Sequence, residues 1–184
     1  MKLEPIWRPD VVQSNFRLLM DCMARPGKKA ALVTGEASPL EAVLSCLCDN
    51  NTSVADPQNI LPLNFWPLSA ALLESLENAA FCVAVANKAP SFQPQLGTLE
   101  SPEFGATILL KVKHLGQGAS LKFTGPGVNE RTNVQVDGLH PDWLKLRAQW
   151  NSGFPMGVDF ILLDEHQLIC VPRTTQIRAS SWDM

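Results

Sequence analysis

Arginine followed by two hydroxyls at the end of an apolar run is the most chemically pointed stretch of this chain. In Val171-Pro172-Arg173-Thr174-Thr175, the guanidinium fork and the hydroxyls of Thr174 and Thr175 form a donor set suited to a phosphate or phosphonate group. The same arginine has a second reading. Asp159 opens another apolar run, a carboxylate buried there needs a partner, and a salt bridge to Arg173 would fix the two strands. Both readings stand on the sequence alone. In Thr124-Gly125-Pro126-Gly127, the two glycines let the backbone turn sharply and present N–H groups to an anion, although a plain turn needs the same residues. A third segment of this kind is Phe154-Pro155-Met156-Gly157-Val158-Asp159. The candidate anion-binding set is therefore Arg173, Thr174, Thr175, Thr124, Gly125 and Gly127, with Asp159 as the structural partner.

Other chemistries are excluded or disfavoured. The chain carries no G-x-x-x-x-G-K-[ST] loop, no G-x-S-x-G elbow and no H-E-x-x-H pair. His114, His140 and His166 lie in unrelated contexts and read as solvated or locally bonded side chains, so no metal site is expected. The five cysteines, Cys22, Cys46, Cys48, Cys82 and Cys170, are odd in number and lack C-x-x-C spacing, which argues against disulfides and a thiolate zinc site and fits a reducing cytoplasm. A net charge of -3 and a pI near 5.6 give no global pull toward nucleic acid or an anionic membrane. The opening Met1-Lys2-Leu3-Glu4-Pro5 does not read as a secretory signal. No apolar run reaches the roughly 18 residues that a membrane helix requires.

The elements that must position these groups follow from hydrophobic spacing. The 184 residues suit one domain with a real core, and the 18% charged content suggests that a partner covers some apolar surface. Helices are expected from Asp10 to Met23, with Asp10 and Gln13 as a capping-box variant and Val12, Phe16, Leu19, Met20 and Met23 as its apolar stripe, from Pro39 to Cys48, and from Pro67 to Leu76. A fourth follows Pro141-Asp142, with Leu139, Trp143, Leu146 and Trp150 on one face. Arg17 and Arg25 read as surface residues or interface anchors. Ala80 to Val85 reads as a buried strand, and the proline-rich segment 87–104 as a long surface loop. Ala106 to Val112 with Ala119 to Thr124, and Val158 to Leu163 with Leu168 to Val171, read as two hairpins. The tail 178–184 is expected to be loosely held. Together these predict an α/β fold, a mixed sheet covered by helices on both faces.

Several segments in this order resemble the PhnH family, the H subunits of the carbon-phosphorus lyase machinery. They are Asn15-Phe16-Arg17-Leu18-Leu19-Met20 with Ala24-Arg25-Pro26-Gly27, Pro102-Glu103-Phe104-Gly105-Ala106-Thr107, Leu121 to Val128, Phe154 to Asp159, and Pro172-Arg173-Thr174-Thr175. The resemblance implies a fold related to the large domain of pyridoxal-phosphate-dependent transferases but without the cofactor. No lysine here sits in a recognisable Schiff-base context, and no cofactor is expected. It implies a role with the G, I and L subunits as an alpha-D-ribose 1-methylphosphonate 5-triphosphate synthase, in which an alkylphosphonate displaces the adenine of ATP. Carbon-phosphorus bond cleavage by the J subunit then follows. It also implies a homodimer when isolated.

The chain departs from the family pattern between Asn50 and Phe81: Thr52-Ser53-Val54 lacks the usual proline, and the usual His-Thr pair is missing near Phe65 to Leu68. No ligand position is carried over there, and no catalytic residue is assigned. The expected role is a noncatalytic or weakly catalytic subunit that contributes to binding an alkylphosphonate or ATP-derived ligand. A free-standing organic-phosphate-binding protein and a bare assembly scaffold are the alternatives.

Overall fold

Alternating burial along the central strands sets the architecture. In a computed structural model, which describes residues 4–129 and 132–179, Thr107–Lys111 (β5) points Ile108 and Leu110 to one side and Leu109 to the other, all buried. Asp159–Leu163 (β8) divides Phe160 and Leu162 from Ile161 and Leu163 in the same way. A strand apolar on both faces must lie inside a sheet covered twice over. These two strands pair in parallel, and Phe81–Val85 (β4) lies parallel beyond β5.

The seven-stranded sheet adds Lys29–Ala30 (β1), Ser53–Ala55 (β2), Leu72–Leu73 (β3) and Leu168–Val171 (β9), in the order β1-β9-β8-β5-β4-β2-β3. The β8–β9 and β1–β9 pairs are antiparallel, so the sheet is mixed. One face packs on Pro9–Ala24 (α1) and Pro39–Leu47 (α2), where Leu19, Cys22, Val43 and Leu44 meet Leu109, Ile161 and Cys170. The other face is covered differently from expectation. One helix, Pro141–Trp150 (α4), shares it with a three-stranded sheet of His114–Thr124 (β6), Thr132–Asp137 (β7) and Gln176–Ala179 (β10), in the order β10-β6-β7.

This second sheet overturns the first expected hairpin. β5 stays in the large sheet, while β6 leaves it and pairs with β7 and β10. The β8–β9 hairpin forms as read. The third helix is only Phe65–Ser69 (α3), because Ala70 takes a left-handed φ of 55° and the chain continues extended into β3. At the start of α1 the N-cap residue is Arg8, without a side-chain cap, and Asp10 pairs with Arg8 instead of closing a capping box. The box forms at α2, where Ser38 and Glu41 cap each other. The buried face of α1 is Val11, Asn15, Leu19 and Cys22, which leaves Phe16 and Met20 on the outside at 41% and 57% exposure. Arg17 is exposed, and Arg25 pairs with Asp21. All five cysteines are free.

The 87–104 segment is more than surface loop. Phe92 packs edge-on to Trp143 at 6.1 Å, Pro94 is buried, and Leu96 bridges Gly105. Of the tail expected to be loose, Arg178 and Ala179 belong to β10, and residues 180–184 lie outside the described residues.

The β8–β9 turn is held by a carboxylate. Asp164 accepts the main-chain N–H groups of Leu115 at 2.9 Å, His166 at 2.9 Å and Gln167 at 2.8 Å. Burial pushes its carboxyl up, but these bonds outweigh burial and hold it below the ordinary 3.8. A depressed folded pKa supplies stability that is present above the unfolded value and lost as pH falls through the folded one. Asp164→Asn is therefore expected to lower unfolding free energy near neutral pH by about 1–2 kcal/mol. It should also flatten the fall in stability between about pH 5 and pH 3, as read by urea titration across that range.

Candidate functional site

Three distant stretches meet where β9 passes into β10. A cavity of about 440 Å³ opens there, and Arg173, Thr174 and Thr175 form part of its wall. Phe154 stands at the same cavity, 66% exposed. Pro126 reaches it from the Thr124–Gly127 turn, because β10 pairs with β6 and sets Gln176 opposite Thr124.

The other residues of that turn support the wall without lining it. Gly125, at φ 129°, lies so close that an added Cβ would stand 2.8 Å from the Thr174 carbonyl oxygen. At Gly127, with φ 75°, the same atom would collide with the Ala24 carbonyl oxygen. Both glycines are needed for close packing, and Thr124 is held in strand pairing.

Arg173 is fully engaged. Its Nη2 and Nε donate to Asp159 Oδ2 at 2.8 and 3.2 Å, and its main-chain N–H to Asp159 Oδ1 at 2.6 Å. Its Nη1 donates to the carbonyls of Pro102 at 2.7 Å and Pro155 at 3.3 Å. One side chain thus ties the start of β8 to two loops, and its charge is matched by Asp159.

The residues that sequence reasoning missed come from α4. Arg147 is 4% exposed, and its Nη1 donates to the Thr175 carbonyl at 3.0 Å and Nη2 to the Pro172 carbonyl at 2.6 Å. Its guanidinium carbon lies 5.5 Å from the centre of the Phe160 ring. Burial lowers its pKa to about 10, against the opposing pull of Asp159, so it stays charged at neutral pH. Asn151, just past α4, accepts the Val158 N–H at 2.7 Å and holds the start of β8. The signal for Arg147 was available: it falls four residues after Trp143 and three before Trp150, on the buried stripe of the helix.

The cavity wall is basic and hydroxyl-bearing. Two arginines line it with no Asp, Glu, His or Cys among the described residues of its wall. A second cleft of about 440 Å³ has the opposite character, with Glu36, Glu41, Asp164 and Glu165 set against Lys111. The first wall carries basic side chains and the second mostly acidic ones. Among the described residues no group of three or more His, Cys, Asp or Glu side chains is placed to hold a metal ion. None of the described helices is long and apolar enough to cross a membrane.

Comparison with known proteins adds identity to this geometry. A C-P lyase subunit protein, HtxG, of Stutzerimonas stutzeri is 39% identical over 172 residues, covering 94% of this chain and 88% of the relative. The PhnH subunit of alpha-D-ribose 1-methylphosphonate 5-triphosphate synthase from Rhizobium meliloti (strain 1021) is 33% identical over 178 residues, covering 90% and 89%. The sequence profile of the bacterial phosphonate metabolism protein (PhnH) matches residues 6–178, and the chain belongs to that family.

Proposed function

We propose that this chain is a subunit of a carbon-phosphorus lyase system, needed with partner subunits to join an alkylphosphonate to the ribose of ATP in place of adenine. Similarity over nearly the whole length to two proteins named as subunits of such systems carries the reading. The expected partners are the G, I, J and L subunits. The wall residues of the cavity at Arg173 support a noncatalytic or weakly catalytic part, because they offer positive charge and hydroxyls but no general base or nucleophilic thiol. The anion-binding contribution assigned to Arg173, Thr174 and Thr175 belongs to this reading, with Thr124, Gly125 and Gly127 backing the wall they form and Asp159 as the structural partner.

The same proposal places the chain in the cytoplasm as a single domain, a homodimer when isolated, with a fold related to the large domain of pyridoxal-phosphate-dependent transferases and no cofactor. The exposed Phe16, Met20, Phe104 and Phe154 are consistent with surfaces that partners cover. Deleting the gene from its host is expected to abolish growth on methylphosphonate as sole phosphorus source and to leave growth on phosphate intact. Expression of the chain should restore it. Unimpaired growth of the deletion strain on methylphosphonate would refute the proposal.

A further inference from the structure

Among the described residues Arg147 is a buried charge without a salt-bridge partner. Its hydrogen bonds go to main-chain carbonyls, those of Thr175 and Pro172 and, at 3.5 Å, Val171. Carbonyls satisfy N–H groups but carry no net charge. The nearby carboxylate, Asp159, is bound to Arg173. Among the described residues, two guanidinium groups and one carboxylate therefore leave one positive charge uncompensated beside the cavity.

A charge taken out of water is costly unless something of opposite sign meets it. Clamping the β9–β10 turn does not by itself account for arginine at this position, because the clamp leaves hydrogen-bonding capacity unused. Arg147 Nε and the Thr175 hydroxyl are both buried without a hydrogen-bond partner among the described residues. Thr175 is 1% exposed, and valine would fill its space without an orphan hydroxyl. Both residues belong to the cavity wall, and Leu144, Ile177 and Phe154 make another part of that wall apolar.

We propose that this cavity binds an organic oxyanion, a phosphonate or phosphate ester, with its acidic group held by Arg147 and Thr175 and its apolar substituent against Leu144, Ile177 and Phe154. The inference rests on the cavity being the anion site of the proposed function, and it moves the recognising charge from Arg173 to Arg147. Arg173 becomes the positioning residue that fixes the wall.

The test uses the full chain labelled with nitrogen-15, titrated separately with methylphosphonate, butylphosphonate and inorganic phosphate. The Arg147 Nε–H resonance serves as an atom-specific reporter that needs no substitution. A saturable shift of that resonance is expected with both phosphonates, with butylphosphonate binding more tightly than methylphosphonate. Thr175→Val, which keeps shape and removes one donor, is expected to weaken binding by roughly tenfold.

Saturable binding that leaves the Arg147 resonance still and is unchanged in Thr175→Val overturns the assignment. Absence of saturable binding by any of the three ions also overturns it. Inorganic phosphate binding as tightly as butylphosphonate overturns the claim for an organic ligand. Because growth on methylphosphonate reads the subunit role independently, a deletion strain that fails to grow, together with a chain that binds none of these ions, would sink this inference alone.

Discussion

Replacing Asp159 with alanine is expected to lower the free energy of unfolding by about 3 kcal/mol. Each member of the Asp159–Arg173 pair has only 15% of its side chain exposed, so the remaining guanidinium would be held in a poorly hydrated place without its counter-charge. The loss extends beyond the pair itself, because Arg173 also bonds the Pro102 and Pro155 carbonyls and its orientation depends on Asp159. Replacing both partners removes the stranded charge, and Asp159→Asn with Arg173→Met is expected to recover a substantial part of the loss. Urea denaturation of the two variants measures this directly. A single variant within about 0.5 kcal/mol of the parent would show that the pair is not structural.

Trp143→Ala is expected to cost about 3–5 kcal/mol. The indole is 1% exposed and packs edge-on to Phe160 at 6.0 Å and Trp150 at 6.5 Å. Its Nε1–H donates to the Lys88 carbonyl at 2.8 Å, which anchors the start of the long β4–β5 connection. Removing the ring opens a cavity in the core that α4 and the three-stranded sheet form with the large sheet, and loosens α4, the helix that carries Arg147 one turn further on. Trp143→Phe keeps an aromatic filler but loses the indole N–H, and a smaller cost of about 1–2 kcal/mol is expected. Calorimetric melting of both variants checks the order. Equal losses would mean that the hydrogen bond, and not ring volume, governs the site.

Local pattern made some elements readable and hid others. The helix at α4 was visible because Pro141 opens it and Trp143, Leu146 and Trp150 recur at helical spacing. The β8–β9 hairpin was visible because two wholly apolar runs flank a polar four-residue turn. β5 and β6 are adjacent in sequence and both β-prone, yet they do not pair. Burial distinguishes the two strands: Ile108, Leu109 and Leu110 are all buried, whereas β6 mixes exposed and buried positions, as befits a sheet with one wet face. The end of α3 was not legible, since Ala70 favours helix by propensity and adopts a left-handed turn only in its tertiary setting.

At the site, the sequence pointed to the stretches but not to how they meet. Arg173 and Asp159 were paired as one of two readings, and their bond follows from the antiparallel β8–β9 hairpin, which sets Val171 opposite Phe160. The Thr124–Gly127 turn reaches the same place only through β10, an element with no clear signal in Gln176-Ile177-Arg178-Ala179. Arg147 is hard to read from sequence because a charged residue within a helix usually faces water. Its position on the Trp143–Trp150 stripe was the contrary clue.

On the proposed function this chain acquires its chemistry from neighbours. The most direct test of that dependence measures formation of ribose 1-alkylphosphonate 5-triphosphate from ATP and methylphosphonate while purified chain is added to a fixed amount of the G, I and L subunits. Product formation is expected to rise with added chain and level off near one equivalent, with none from the chain alone. A rate independent of the added chain, or full turnover by the isolated chain, would contradict the account.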